Sequence, residues 1–67
     1  MGDPQKFQIS LAAARVNAGL TQEEVAKVLK VSKNTIINWE KYKTEMTLSQ
    51  AREIEKLYGM SIDNIRT

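Results

Sequence analysis

The sequence contains no cysteine and no histidine. A disulfide framework is therefore excluded, and so is the usual zinc site, whose ligands come mainly from those two residues. Glycine occurs three times and never in a cluster, which rules out a glycine-rich phosphate loop. No apolar run approaches the ~20 residues needed to cross a bilayer. The amino-terminal stretch also lacks the apolar core of a signal peptide. Without His, Cys or a phosphate loop, only scattered carboxylates remain for catalysis, and their pattern fits helix caps and solvated faces. The expectation is a soluble, non-enzymatic protein of a reducing cytoplasm. No cofactor, no metal, no membrane partner and no small-molecule ligand is expected.

What is present is a chain of 67 residues, enough for one small domain whose stability must come from helix packing. The net charge of +2 is too small to identify a partner, but it is unevenly spread. Lys30 to Lys43 holds four lysines and one glutamate, a net of +3, while the remaining residues sum to −1. Residues 1–9 show no periodicity and are expected to form an amino-terminal arm, with the folded domain spanning 10–67. Ser10 can cap a first helix from Leu11 to about Ala18, which Gly19 ends. Thr21 and Glu24 make a T-x-x-E capping box for a second helix to about Leu29, with Val25, Ala26, Val28 and Leu29 facing inward. Ser32 caps a third, Lys33 to about Lys41, and a polar loop runs to Met46. Thr47 and Gln50 repeat the box before a fourth helix that Gly59 stops, and Ser61 can cap a last turn, Ile62 to Ile65. No segment alternates apolar and polar residues as a half-buried strand would, so the fold class is all-α: a compact bundle of about five short helices. Val25, Ala26, Leu29, Ile36, Trp39, Leu48, Ile54 and Leu57 are the expected core.

The second and third helices, joined by about three residues, form a helix-turn-helix. Here the sequence resembles a known family, the phage repressor and Cro type of helix-turn-helix regulators, also called the xenobiotic-response-element family. The residues that carry the resemblance are "LTQEEVAKVLKVSKNTIINWEKYKT", preceded by "AARVNAG" and followed by "LSQAREIEKLYGMSIDNI". They cover Ser10 to Ile65. The resemblance implies a lambda-repressor-like DNA-binding domain in which the second and third helices form the reading unit. Two positions depart from the family pattern: Lys30 in the turn and Tyr42 after the reading helix stand where the family often has glycine. Tyr42 can either pack or touch DNA.

Such a unit presents the start of its second helix to the major groove, where each base pair shows its own donor and acceptor pattern. Lys33 and Asn34 begin that helix, and Ile37 and Asn38 follow one turn later on the same side. These four are the expected base-reading residues: Asn for adenine, Lys for guanine, Ile37 for a thymine methyl. Both Asn are weak helix formers, a poor choice for a merely solvated face. Phosphate contacts are expected from Gln22, assigned by the resemblance, and from Ser32, Lys41, Lys43 and Thr44 by position and charge. Lys6 in the arm is a further candidate. The resemblance also implies an ion pair between Arg15 and Glu40 that holds the reading helix at its angle.

The expected function is a sequence-specific transcriptional repressor of phage, prophage or bacterial origin. Its partner is double-stranded DNA, bound as a homodimer on pseudo-palindromic sites. Tyr58, Met60, Ile62 and Ile65 near the carboxyl end supply either a dimer surface or the closure of the monomer's core. The rival reading is a protein-interaction module of the same fold, such as an antitoxin or coactivator domain.

Overall fold

The computed structural model describes residues 8–67; Lys6 and the rest of residues 1–7 lie outside the described residues. A two-residue strand β1 (Ile9–Ser10) leads into α1 (Leu11–Asn17), α2 (Gln22–Leu29), α3 (Lys33–Glu40) and α4 (Leu48–Tyr58). A single 3-10 turn (Ile62–Asn64) and β2 (Ile65–Arg66) follow. Each α-helix starts where a side chain takes up the amide hydrogens that the first turn leaves unpaired. Ser10 Oγ accepts from Ala13 N at 3.0 Å. The Thr21–Glu24 box closes with bonds of 2.8 and 3.1 Å, and the Thr47–Gln50 box with bonds of 2.8 and 3.1 Å.

Helix ends follow from backbone handedness. Gly59 ends α4 with φ 68, a left-handed conformation that only glycine adopts without steric cost. Lys30 takes φ 60 at the end of α2 and Tyr42 takes φ 58 after α3. Those are the two positions where the sequence departs from glycine. Lys30 adopts the left-handed conformation that glycine takes without strain, at a cost of about 1 kcal/mol relative to glycine.

The sequence-based expectation differs from the fold at the chain ends. β1 and β2 pair in parallel, Ile9 against Ile65 and Ser10 against Arg66. Ile9, read from the sequence as the last arm residue, is thus part of the fold. The turn expected over Ile62 to Ile65 is a 3-10 turn ending at Asn64, its first amide bonded to Glu55 Oε2 at 2.7 Å. Strands of two residues are too short to show alternation, so nothing in the pattern reveals them. Tyr42 packs: its hydroxyl accepts from Leu11 N at 3.2 Å and donates to the Arg66 carbonyl at 3.0 Å. The Arg66 guanidinium lies 4.6 Å from its ring centre, within cation–π range. One side chain in the left-handed region therefore ties the loop after α3 to both ends of the domain.

The core consists of Leu11, Ala14, Val25, Ala26, Leu29, Ile36, Trp39, Ile54, Tyr58 and Ile65. Leu57 packs against it from a half-buried position. Two residues expected inside are outside. Leu48 is 71% exposed and Val28 is 52% exposed. Leu48 is the first residue of α4, where the helix has no preceding turn for its side chain to cover. Tyr58 and Ile65, for which the sequence left a dimer surface and the monomer's core equally open, are 6% and 1% exposed and lie in the core. Met60 and Ile62 are partly buried against that core.

Candidate nucleic-acid interface

Helix α3 is anchored by its inner side. Ile36 and Trp39 are buried at 1% and 4% exposure, and their spacing of three residues puts them on one face. Ser32 sets where the helix begins, its Oγ accepting from Thr35 N at 3.1 Å and lying 3.0 Å from Thr35 Oγ1. With that start and that inner face settled, the outward ridge follows from helical geometry. Lys33 and Asn34 are exposed, and Ile37 and Asn38 are partly buried. Among the described residues the Asn34 and Asn38 carboxamides have no hydrogen-bond partner, so their donors and acceptors face outward unclaimed. Lys41, Lys43 and Thr44 are exposed just beyond the helix end.

Two of the expected site residues, Lys33 and Gln22, make contacts that no local pattern foretells. Lys33 Nζ lies 3.9 Å from Glu23 Oε2, both largely exposed; such a pair is worth at most about 1 kcal/mol. Gln22 Nε2 donates to Glu40 Oε1 at 3.0 Å. Glu23 and Glu40 lie 10 and 18 residues from these partners in sequence, beyond the reach of any capping pattern.

An ion pair joins α1 to the end of α3. Arg15 Nε donates to Glu40 Oε2 at 2.6 Å, and Nη2 donates to Oε1 at 3.3 Å. Nη1 donates to the Leu20 carbonyl at 2.9 Å. The pair is largely withdrawn from water, with side-chain exposures of 15% for Arg15 and 7% for Glu40. The hydrogen bond to Glu40 raises the Arg15 pKa above its ordinary value, so the guanidinium stays charged throughout the accessible pH range.

Tyr58 stands beside this pair, and its buried hydroxyl has no hydrogen-bond partner among the described residues. Burial pushes its pKa up from 10.0 to about 12, with the Glu40 carboxylate adding to the rise and Arg15 opposing it. The folded protein thus keeps a proton that the unfolded chain releases. This contribution is intact below pH 10 and is lost as the pH climbs from about 10 to about 12, a fall of up to about 3 kcal/mol. Tyr58→Phe is expected to remove that alkaline slope and to gain about 1 kcal/mol at neutral pH by deleting an unpaired polar group. Urea melts at pH 7 and pH 11 check both; equal slopes for the two proteins would refute the assignment.

A helix-turn-helix whose second helix exposes unclaimed amides beside lysines defines a nucleic-acid-binding domain. The family comparison agrees. Residues 11–65 match the model of the helix-turn-helix family of Cro/C1 type, and the chain belongs to that family, whose members are DNA-binding domains of transcriptional regulators. It is 48% identical over 46 residues to a protein of Methanocaldococcus jannaschii named as an HTH-type transcriptional regulator, covering 69% of this chain and 70% of that one. No solved structure matches. Among the described residues no helix is long and apolar enough to cross a membrane.

Proposed function

We propose that this chain is a sequence-specific transcriptional repressor that lays α3 in the major groove and binds pseudo-palindromic DNA as a homodimer. The observation that carries the reading is the outward ridge of α3, where the Asn34 and Asn38 carboxamides have no hydrogen-bond partner among the described residues while Ile36 and Trp39 on the other side are buried. Lys33, Asn34, Ile37 and Asn38 read base edges. Gln22, Ser32, Lys41, Lys43 and Thr44 hold the backbone, and Arg15 with Glu40 keeps α3 at its angle. With Tyr58 and Ile65 interior, pairing of two copies near the carboxyl end uses Met60 and Ile62. The site of action is the cytoplasm of a prokaryotic cell, archaeal as for the relative or bacterial, including a phage-infected one.

Selection of bound duplexes from a random pool tests this directly. The expected product is a symmetric consensus with half-sites about 34 Å apart or a multiple of that. Asn34→Ala and Asn38→Ala should each weaken binding to the selected site by about 1–3 kcal/mol and leave unrelated DNA nearly unaffected. Lys43→Ala should weaken all duplexes alike and lower the slope of log affinity against log salt by about 1. No enrichment from the pool would overturn the reading in favour of a protein partner.

A further inference from the structure

We propose that Glu40 is a positioning residue for DNA backbone binding: its carboxylate, held by Arg15, aims the Gln22 carboxamide so that the second amide N–H meets a phosphate oxygen. The inference rests on the reading of α2 and α3 as the DNA-binding unit and adds a role that stability alone does not describe.

Gln22 is the first residue of α2, and a glutamine there would ordinarily sample many rotamers. Here it is held before any ligand arrives, because Nε2 donates to Glu40 Oε1 at 3.0 Å. A carboxamide nitrogen carries two hydrogens. One is committed to Glu40, and the other remains for a ligand. The holding group is itself held, since Glu40 receives Arg15 Nε at 2.6 Å and Nη2 at 3.3 Å. Arg15 is in turn fastened to the Leu20 carbonyl at 2.9 Å. The series runs from α1 through the end of α3 to the start of α2, and each member fixes the next.

Its outer end opens on a polar depression lined by Arg15, Thr21, Gln22, Glu23 and Lys33, between the starts of α2 and α3. An anionic carboxylate beside an incoming phosphate would ordinarily repel it. Glu40 escapes that penalty because the Arg15 charge lies against it, so the pair presents little net charge while its geometry persists.

Glu40→Gln isolates the effect. A carboxylate offers two acceptor oxygens and a carboxamide only one. Arg15 would claim that one, leaving an NH2 group facing the Gln22 NH2 group. Donor would then meet donor, and Gln22 would swing away. The expected result is a loss of about two- to tenfold in affinity for the selected duplex, the scale of ordering one long side chain. Gln22→Ala should show a similar loss, and the double variant should bind no more weakly than Gln22→Ala alone. Multiplying losses in the double variant would overturn the inference, since a purely structural Glu40 acts independently of Gln22.

A duplex with one neutral methylphosphonate in place of the contacted phosphate gives a second measurement. Wild-type protein should lose affinity on it, and both single variants should be indifferent to the change; equal sensitivity in all three would also overturn the inference. Should Glu40→Gln fail to fold, NMR of the wild-type protein decides. A Gln22 side-chain NH2 group with low mobility, one proton shifted by its bond to Glu40 and slow to exchange, is expected, and the shifts and mobility of a solvent-exposed glutamine would refute the positioning. Wild-type protein that bound no duplex would instead defeat the DNA reading itself, a distinct outcome.

Discussion

Arg15→Ala is expected to cost about 3–5 kcal/mol of folding stability, the range for removing one partner of a buried ion pair. The Glu40 carboxylate, at 7% exposure, would be left with Gln22 as its remaining side-chain donor. A domain of this length has roughly 3–10 kcal/mol in total, so the loss takes a third or more of it and the urea midpoint should fall steeply. Urea melts followed by the fluorescence of Trp39, the sole tryptophan, would show it. A loss below about 1 kcal/mol would mean that the pair behaves like an exposed one. Replacing both partners, Arg15→Met with Glu40→Leu, should restore much of the stability because no charge is then stranded. Affinity for DNA should not return with it, since Gln22 would still lack its holding group.

Trp39→Ala is expected to cost about 3–5 kcal/mol. Trp39 is 4% exposed and belongs to the same buried cluster as Ile36 and Ile54, so truncation opens a cavity that a small domain has little means to refill. Circular dichroism replaces fluorescence for this variant, and a mostly helical spectrum with an unchanged melt would contradict the burial. Leu48→Ala is the matching control. Leu48 fits the apolar spacing of α4, yet at 71% exposure its truncation should stay within about 0.5 kcal/mol. The contrast between two residues of the same expected core separates apolar spacing from actual burial.

That contrast shows how far sequence reasoning reaches. Helical phase told which side of α3 faces inward, because Ile36 and Trp39 leave no other solution, and the same phase placed Lys33, Asn34, Ile37 and Asn38 on the other side. It failed for Leu48 and Val28 because phase says nothing about whether a neighbouring element covers that stretch of helix. Tyr58 and Ile65 were ambiguous for the same reason: apolar residues near the end of a chain suit an interface and an interior equally well. Ile65 proved interior once β2 paired with β1, a contact between segments more than fifty residues apart. Lys30 and Tyr42 were visible as departures from glycine, but their left-handed backbone and the bonds made by the Tyr42 hydroxyl were not.

The sequence alone determined the four α-helices, their capped starts, the Gly59 stop of α4 and which side of α3 faces outward. A capping box, a left-handed stop and a helical face are each settled within a few residues by local hydrogen bonding and sterics. Tertiary structure alone decided the Gln22–Glu40 bond, the Tyr42 tie between loop and strands, and the burial of Tyr58. These join groups 18, 31 and 24 residues apart in the two hydrogen-bonded cases, and in the third bring a helix end against an ion pair. Whether such groups meet depends on how the helices cross, which is set by the packing of all their inner faces together and by no short stretch of chain.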